Sequence, residues 1–507
     1  MKISRAQALR TADAYLRQRQ VDPGRYHQVA WVRENVDPLA VRYLLERKSI
    51  KESDRTYRLA TRLAAFEVRY FRPLEKDEHH VFLDPTSGQV FGYRMLLDDN
   101  APGASLSPEQ AQTLAAKYVE EQGYRLSDFD LQSSQAEKRK AREDYTLVWQ
   151  AKAGDPRNVG DAHYRLEVEV AGDQLVRFAR SFKLPEAWER ARGSSSLVNS
   201  VLSFAGYLVG LALVGAGVIL LVMQIRSGQM PWRPAAKVGA LIVALMILSE
   251  LNQWPGLDRQ YETSIPLSTW RLYIAVSLVV FPLLAGLLCW LLAGLAASLY
   301  PEAWQLLRGC ARRVWRRDTA VCIVLVLAAD AGLNKLTALF ASRFHAFAPV
   351  GTEVFSEMFN AALPGAGFFL RALWWIVVFI SGLGLAIYII RLGWIRRAWW
   401  LWAGILLGLV GLGPAGAHSV REFFAGWVMS FVPLAVGAAI VFWFFRNNLL
   451  AYLAAAFCLQ VAQPLVSLLS QQAAFYRSNG WLLAVLAFLF LVWLLLVGGE
   501  SEARSEP

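Results

Sequence analysis

The chain has 507 residues, 55% of them hydrophobic and 18% charged, with a formal charge of +11 and a mean hydropathy of +0.31. An apolar excess of this size, gathered into the second part of the chain, excludes an ordinary soluble globule. The basic residues lie on a mixed-charge N-terminal region and in short connectors between apolar runs. That pattern points to orientation in a bilayer and contact with anionic lipid, and away from nucleic acid.

Cys289, Cys310, Cys322 and Cys458 all sit in or beside the apolar half without a CxxC spacing, so neither a disulfide framework nor a zinc knuckle is expected. The opening MKISRAQALRTADAYLRQ has no apolar core and no small-residue cleavage site, and predicts no signal peptide.

Residues 1–195 contain an internal repeat. Ser4-Arg-Ala-Gln7-Ala8, followed by Ala12 and Tyr15, returns as Ser107-Pro-Glu-Gln110-Ala111, followed by Ala115 and Tyr118. Serine at a helix start and apolar residues at i, i+4, i+7 predict one amphipathic helix per copy. Each helix is followed by strand-like alternation: Phe66–Phe71 and His80–Leu96 in the first copy, Tyr145–Lys152 and Tyr164–Phe182 in the second. Asp84-Pro-Thr-Ser-Gly88 and Ala171-Gly172-Asp173 are turn signals that predict a hairpin in each. The expected architecture is an α+β domain with a first repeat over 1–100 and a second over 101–195. Glu120-Glu121-Gln-Gly-Tyr-Arg125 fits an EExxxR string but ends the second soluble helix, where Gly123 reads as a stop. Glu78, His79 and His80 read as a charged turn, and His27 and His163 as structural.

Residues 196–498 form an α-helical polytopic bundle of about nine spans, near 197–224, 236–252, 270–300, 320–341, 366–390, 398–414, 423–445, 449–470 and 480–498, before a polar tail at 499–507. The run at 236–251, short and ending beside Glu250, is the weakest of them. Arg308, Arg312, Arg313, Arg316 and Arg317 crowd the connector 301–319, and Arg391, Arg396 and Arg397 the connector 391–397. Guanidinium groups resist translocation, so both connectors are expected in the cytoplasm of a multi-pass cell-membrane protein. Counting back through three spans puts the N-terminal domain outside the cytoplasm. Gly206-x-x-x-Gly210 and Gly404-x-x-x-Gly408 read as packing seams.

Two polar clusters stand out. Asp330, Asn334 and Lys335 lie inside a span, where ionisable groups are costly; they read as a clasp between helices or as part of an ion path. His345, Glu353, Glu357, His418 and Glu422 lie at the extracytoplasmic edge, with Glu353/Glu357 and His418/Glu422 at i, i+4 spacing. Histidines and carboxylates together suit a zinc ion and an activated water, or surface loops whose glutamates are neutralised by Arg371 and Arg421.

The stretch VFLDPTSGQVFGYR and the preceding Ser-x-x-Gln-Ala helix resemble the PepSY domain, which implies a regulatory, inhibitory or peptide-binding module without chemistry of its own. Two such repeats before a many-span bundle, with LNQWPGLDRQY (Leu251–Tyr261) and FFRNNLLAYLAAAF (Phe444–Phe457), resemble the CPBP family of intramembrane metalloproteases, in bacterial members with PepSY-like repeats. Active members need paired glutamates and an arginine within a span, then histidines on later spans. No span here pairs glutamates, and Phe340 to His345 is one residue too long for the family's Phe-x-x-x-His. The resemblance therefore implies a catalytically degenerate relative, with zinc only where proteolysis persists and a peptide or membrane protein as partner. A non-enzymatic sensor or scaffold is the alternative, and a transporter using Asp330 and Lys335 a third.

Overall fold

The computed structural model describes residues 1–193, 197–301, 313–348, 350, 357–395, 417–445 and 448–496, with single positions at 399, 402, 404 and 408. Each N-terminal repeat opens on a capped helix, α1 (Arg5–Gln18) and α4 (Pro108–Glu121). The Gln7 N–H donates to Ser4 Oγ at 3.4 Å while the Gln7 side chain accepts the Ser4 N–H at 2.7 Å. Ser107 and Gln110 repeat the arrangement at 3.3 and 2.9 Å, so both helices start on a reciprocal capping box. Ala8, Ala12 and Leu16 on one helix, and Ala111, Ala115 and Val119 on the other, are fully buried.

Both helices cover one face of a single eight-stranded antiparallel sheet with strand order β1-β2-β3-β4-β8-β7-β6-β5. The first copy supplies β1 (His27–Glu34), β2 (Ala64–Phe71), β3 (Glu78–Leu83) and β4 (Val90–Leu96). The second supplies β5 (Phe129–Lys138), β6 (Glu143–Ala151), β7 (His163–Ala171) and β8 (Gln174–Lys183). The copies join through their last strands, Tyr93 opposite Phe178 and Arg94 opposite Arg177, which relates them by an approximate two-fold axis. Tyr15 and Tyr118, at matching places on the two helices, meet hydroxyl to hydroxyl at 3.2 Å.

Both expected hairpins form. In the first, Asp84 accepts from the Thr86 N–H at 2.7 Å and Gly88 takes φ +78°, the left-handed conformation that closes the turn. Strands β1 and β5 are additions to the expected set. Strand β1 has Val29, Ala30, Trp31 and Val32 buried on both faces, so it lacks alternation; β5 is almost wholly exposed and polar. The first copy also carries an insertion between β1 and β2, helices α2 (Pro38–Arg47) and α3 (Ile50–Ala60). His79 and His80 lie on β3 and are buried, where a charged turn was expected. The EExxxR string ends α4 as expected, with Gly123 at φ +83° and Arg125 paired to Asp128 at 3.1 Å.

A short helix, α5 (Glu186–Gly193), leads to the membrane half. Its long helices are α6 (Leu197–Arg226), α7 (Trp232–Asn252), α8 (Leu267–Leu299), α9 (Arg313–Arg343), α10 (Pro364–Ile395), α11 (Val420–Ile440), α12 (Leu449–Leu469) and α13 (Ala474–Leu496). Eight helices among the described residues are long and apolar enough to cross a membrane, α7 included. The expected span at 398–414 lies mostly outside the described residues. Their outward faces are apolar, as contact with lipid requires.

Helices α7 and α8 pack closely, where Gly239 and Gly286 let two backbones meet. A Cβ on Gly286 would lie 2.9 Å from the Gly239 carbonyl oxygen and closer still to Val243. Gly206 and Gly210, expected at a seam, have open space around them among the described residues. Gly286→Val should therefore cost about 1–3 kcal/mol by overpacking, and Gly206→Val close to nothing. Thermal unfolding of the detergent-solubilised variants, followed by intrinsic fluorescence, checks the contrast.

Candidate functional site

Alternation along β2 and β3 sends Phe66, Val68, Tyr70, Val81 and Leu83 toward the helices. It sends Glu67, Arg69, Glu78 and His80 to the opposite face, and all four are buried. Arg69 holds Glu78 with two parallel bonds, Nε to Oε2 at 2.6 Å and Nη2 to Oε1 at 2.7 Å. Its Nη1 donates to the carbonyl oxygens of Tyr261 at 2.7 Å and Arg259 at 3.3 Å, in the connector between α7 and α8. His80 stands between two carboxylates, 2.8 Å from Glu67 and 3.3 Å from Glu78, and Arg33 Nε closes the row on Glu67 at 2.8 Å. Burial alone would raise the Glu78 carboxyl, but hydrogen bonds from His80 and Arg69 hold it at about 2. Around the charges, Val29, Trp31 and Phe71 pack on Tyr261, with Ile265, Leu267 and Trp270 beside them.

Three further segments of the membrane half meet the domain. Asn360 Oδ1 accepts the Val32 N–H at 2.7 Å and its Nδ2 donates to the Val32 carbonyl at 3.0 Å, so one side chain pairs the outer edge of β1 as a neighbouring strand would. Arg5 donates to the Asn360 carbonyl at 2.7 Å. Between α12 and α13, the N–H groups of Gln472 and Ala473 donate to the Met1 carbonyl at 2.9 and 3.0 Å.

The fourth contact is a cleft of about 310 Å³ lined by Glu46, Trp188, Arg192, Phe347, His418 and Glu422. Arg192 of α5 bridges Glu46 of α2 and Glu422 in the first turn of α11, the latter at 3.0 Å. Trp188 donates to Glu46 at 2.8 Å, Arg42 to the Ala346 carbonyl at 2.6 Å, and His345 Nδ1 lies 2.6 Å from the Leu45 carbonyl. Glu422 also accepts the His418 N–H at 2.9 Å.

The expected edge cluster is thus divided. His418 and Glu422 line the cleft and His345 stands beside it, while Glu357 pairs with Arg259 at 2.8 Å. Glu353 lies outside the described residues. Among the described residues no three His, Cys, Asp or Glu side chains converge on one point. With Glu422 and Glu357 held by arginines and His345 by a carbonyl, the described part of this cluster does not fit a zinc site. Arg192, Glu46, Arg259 and Asn360 carry the contacts and went unread in the sequence; the only signal was the charge of EAWERARG. Within α9, Asn334 donates to Asp330 at 3.1 Å, a bond inside one helix, and Lys335 is exposed and has no ion pair among the described residues.

Comparison with family models, with curated proteins and with solved structures finds no match to this chain.

Arg69→Ala would leave Glu78 buried without its cation and should cost about 3–5 kcal/mol, whereas Arg33→Ala, half exposed, should cost about 0–1 kcal/mol; chemical unfolding of the full-length chain compares them. Acid should act in two stages. Burial lowers His79 to about 4, with Asp77 opposing, so the unfolded chain takes up its proton first and stability drops as pH falls from about 6.5 to about 4. Glu78, depressed to about 2, gives stability that is present above about 4.5 and lost as pH falls toward 2. His79→Phe should remove the upper stage alone from the midpoint-against-pH curve.

Proposed function

We propose that this chain is a multi-pass membrane protein of the CPBP type, better described by its regulation than by catalysis: a PepSY-like two-repeat domain seated on the extracytoplasmic end of a bundle that has lost proteolysis. The observation that carries the reading is where the domain grips. It holds the connectors after α7 and α9, the start of α11 and the turn before α13, all at one end of the bundle. The opposite end carries the arginine-rich connectors. There Tyr300 donates to the Gly384 carbonyl at 3.1 Å, Leu220, Leu295 and Ile389 pack together, and Asn448 donates to Thr319 at 3.1 Å.

By the charge rule that end is cytoplasmic and the domain lies outside. Among the described residues, α10 finishes at the arginine-rich end and α11 begins beside the domain. A module bound to four segments of a bundle biases whichever arrangement keeps those contacts, which is the physical content of regulation here. The arginine pairing of Glu357 and Glu422 favours a second reading, a sensor or scaffold with no enzymatic past. A zinc content near one equivalent in the purified protein, with peptide cleavage, would reject both.

Two measurements test the placement and the coupling. With native cysteines replaced by alanine, Asp173→Cys should react with a membrane-impermeant maleimide from outside the cell, and Ser227→Cys only after permeabilisation. The reverse pattern overturns the orientation. Arg192→Ala should raise hydrogen exchange over residues 417–430 several-fold and leave 474–496 unchanged; equal exchange in both would remove the coupling.

A further inference from the structure

The insertion in the first repeat folds over the second repeat and encloses a second, separate pocket. It measures about 230 Å³; its lining includes Asn35, Tyr57, Thr61, Tyr164, Arg180 and Phe182, together with Arg33, Glu34 and Asp37. Most of the polar groups there are already satisfied. Arg33 pairs with Glu67, and the Asp37 carboxylate caps α2 through the N–H groups of Leu39 at 2.9 Å and Ala40 at 3.2 Å. Tyr57 Oη accepts the Asp37 N–H at 2.7 Å, Asn35 donates to the Arg62 carbonyl at 3.0 Å, and Glu34 has a partner of its own.

Arg180 is different. Its Nη1 donates to Tyr124 Oη at 3.1 Å and its guanidinium carbon lies 4.9 Å from the Phe91 ring centroid. Its Nη2 is buried and has no acceptor, and among the described residues no carboxylate pairs with it. A guanidinium is always charged, and leaving one of its donors buried without an acceptor is costly. The unused Nη2 lies on the edge that Nε shares, the planar fork that matches two carboxylate oxygens. Beside it, Phe182 stacks on Tyr57 with centroids 6.0 Å apart and meets the Tyr164 ring edge-on at 6.1 Å.

From this we infer that the pocket binds a carboxylate carried on a small apolar or aromatic body, with Arg180 taking the carboxylate and Tyr57, Tyr164 and Phe182 flanking the body. The C-terminus of a peptide and a free organic acid share that chemistry. The volume admits one terminal residue or one small acid, well below the 300–1,000 Å³ typical of drug-sized sites. The site lies wholly within the sheet domain and holds whichever family reading or membrane orientation proves right.

The test uses the full-length protein in detergent micelles and three probes: the tripeptide Ala-Ala-Phe with a free carboxyl, its C-terminal amide, and 3-phenylpropionate. Saturation-transfer NMR and calorimetry should show saturable binding of a carboxylate probe and at least tenfold weaker binding of the amide. A stronger response from the tripeptide assigns a peptide C-terminus, and one from 3-phenylpropionate a free acid. Arg180→Gln should weaken the bound acid at least tenfold. Arg180→Lys, which keeps the charge but loses the fork, should weaken it severalfold and covers the case in which Arg180→Gln fails to fold. Binding of neither acid, equal binding of acid and amide, or unchanged affinity in Arg180→Lys would overturn the assignment.

Discussion

The arrangement of the two halves depends on one guanidinium. Arg69 is buried in the sheet, gives two of its donors to Glu78 and turns the remaining nitrogen toward backbone carbonyls of the connector between α7 and α8. A connector leaving a membrane must satisfy its carbonyls somewhere, and water does this poorly beneath a packed domain. Arg69 supplies those bonds from a residue whose own charge is already balanced. Glu78 also accepts from Thr263 at 3.3 Å, and the Leu74 N–H donates to the Thr263 carbonyl at 2.9 Å, so the connector is held at successive points.

An apolar face alone would have buried the same area without choosing a position. Tyr261 against Phe71 and Trp31 supplies area; the row from Arg33 to Arg69 supplies register, because a shift of one residue along β2 would place Val68 or Tyr70 where Arg69 stands, and a shift of two Glu67 or Phe71. Buried ion pairs add little net stability over a well-packed apolar substitute, yet breaking one is expensive. Applied here, that asymmetry makes the row a device for positioning the domain on the bundle. The same logic recurs at Arg192, which ties a domain helix to the first turn of α11 through two carboxylates.

The sequence made legible whatever follows from local pattern. Serine caps, the Asp84–Gly88 turn, the helix stop at Gly123 and the eight apolar runs that fall on described helices all reflect interactions within a few residues, and each formed where expected. Strand β1 was illegible because the membrane half buries its second face and removes the alternation that marks a strand. His79 and His80 read as a turn for a related reason: a polar strand face looks like a loop until the partner that buries it is known. Of the edge cluster, His418 and Glu422 could be placed together by spacing. The partner of Glu422, Arg192, lies 230 residues away along the chain, and local pattern carries no information across that distance.

The two repeats share a plan but face different surroundings, and their edges show it. In the first copy both sheet faces are covered and the outer edge, β1, is paired by Asn360. In the second, β5 ends the sheet in solvent, and it carries the devices that keep a free edge from pairing: charged residues Asp130, Glu137 and Lys138, and a bulge near Leu131 that breaks the register with β6. A duplicated unit bound to a bundle by one copy leaves the other copy accessible. The inserted helices α2 and α3 then connect the roles, because one side of the insertion holds the Arg192 cleft through Glu46 while the other closes over Arg180 through Tyr57. Anything that moves the insertion moves both. The fold thus places a ligand-sized pocket and a membrane-helix contact on the same short segment of chain.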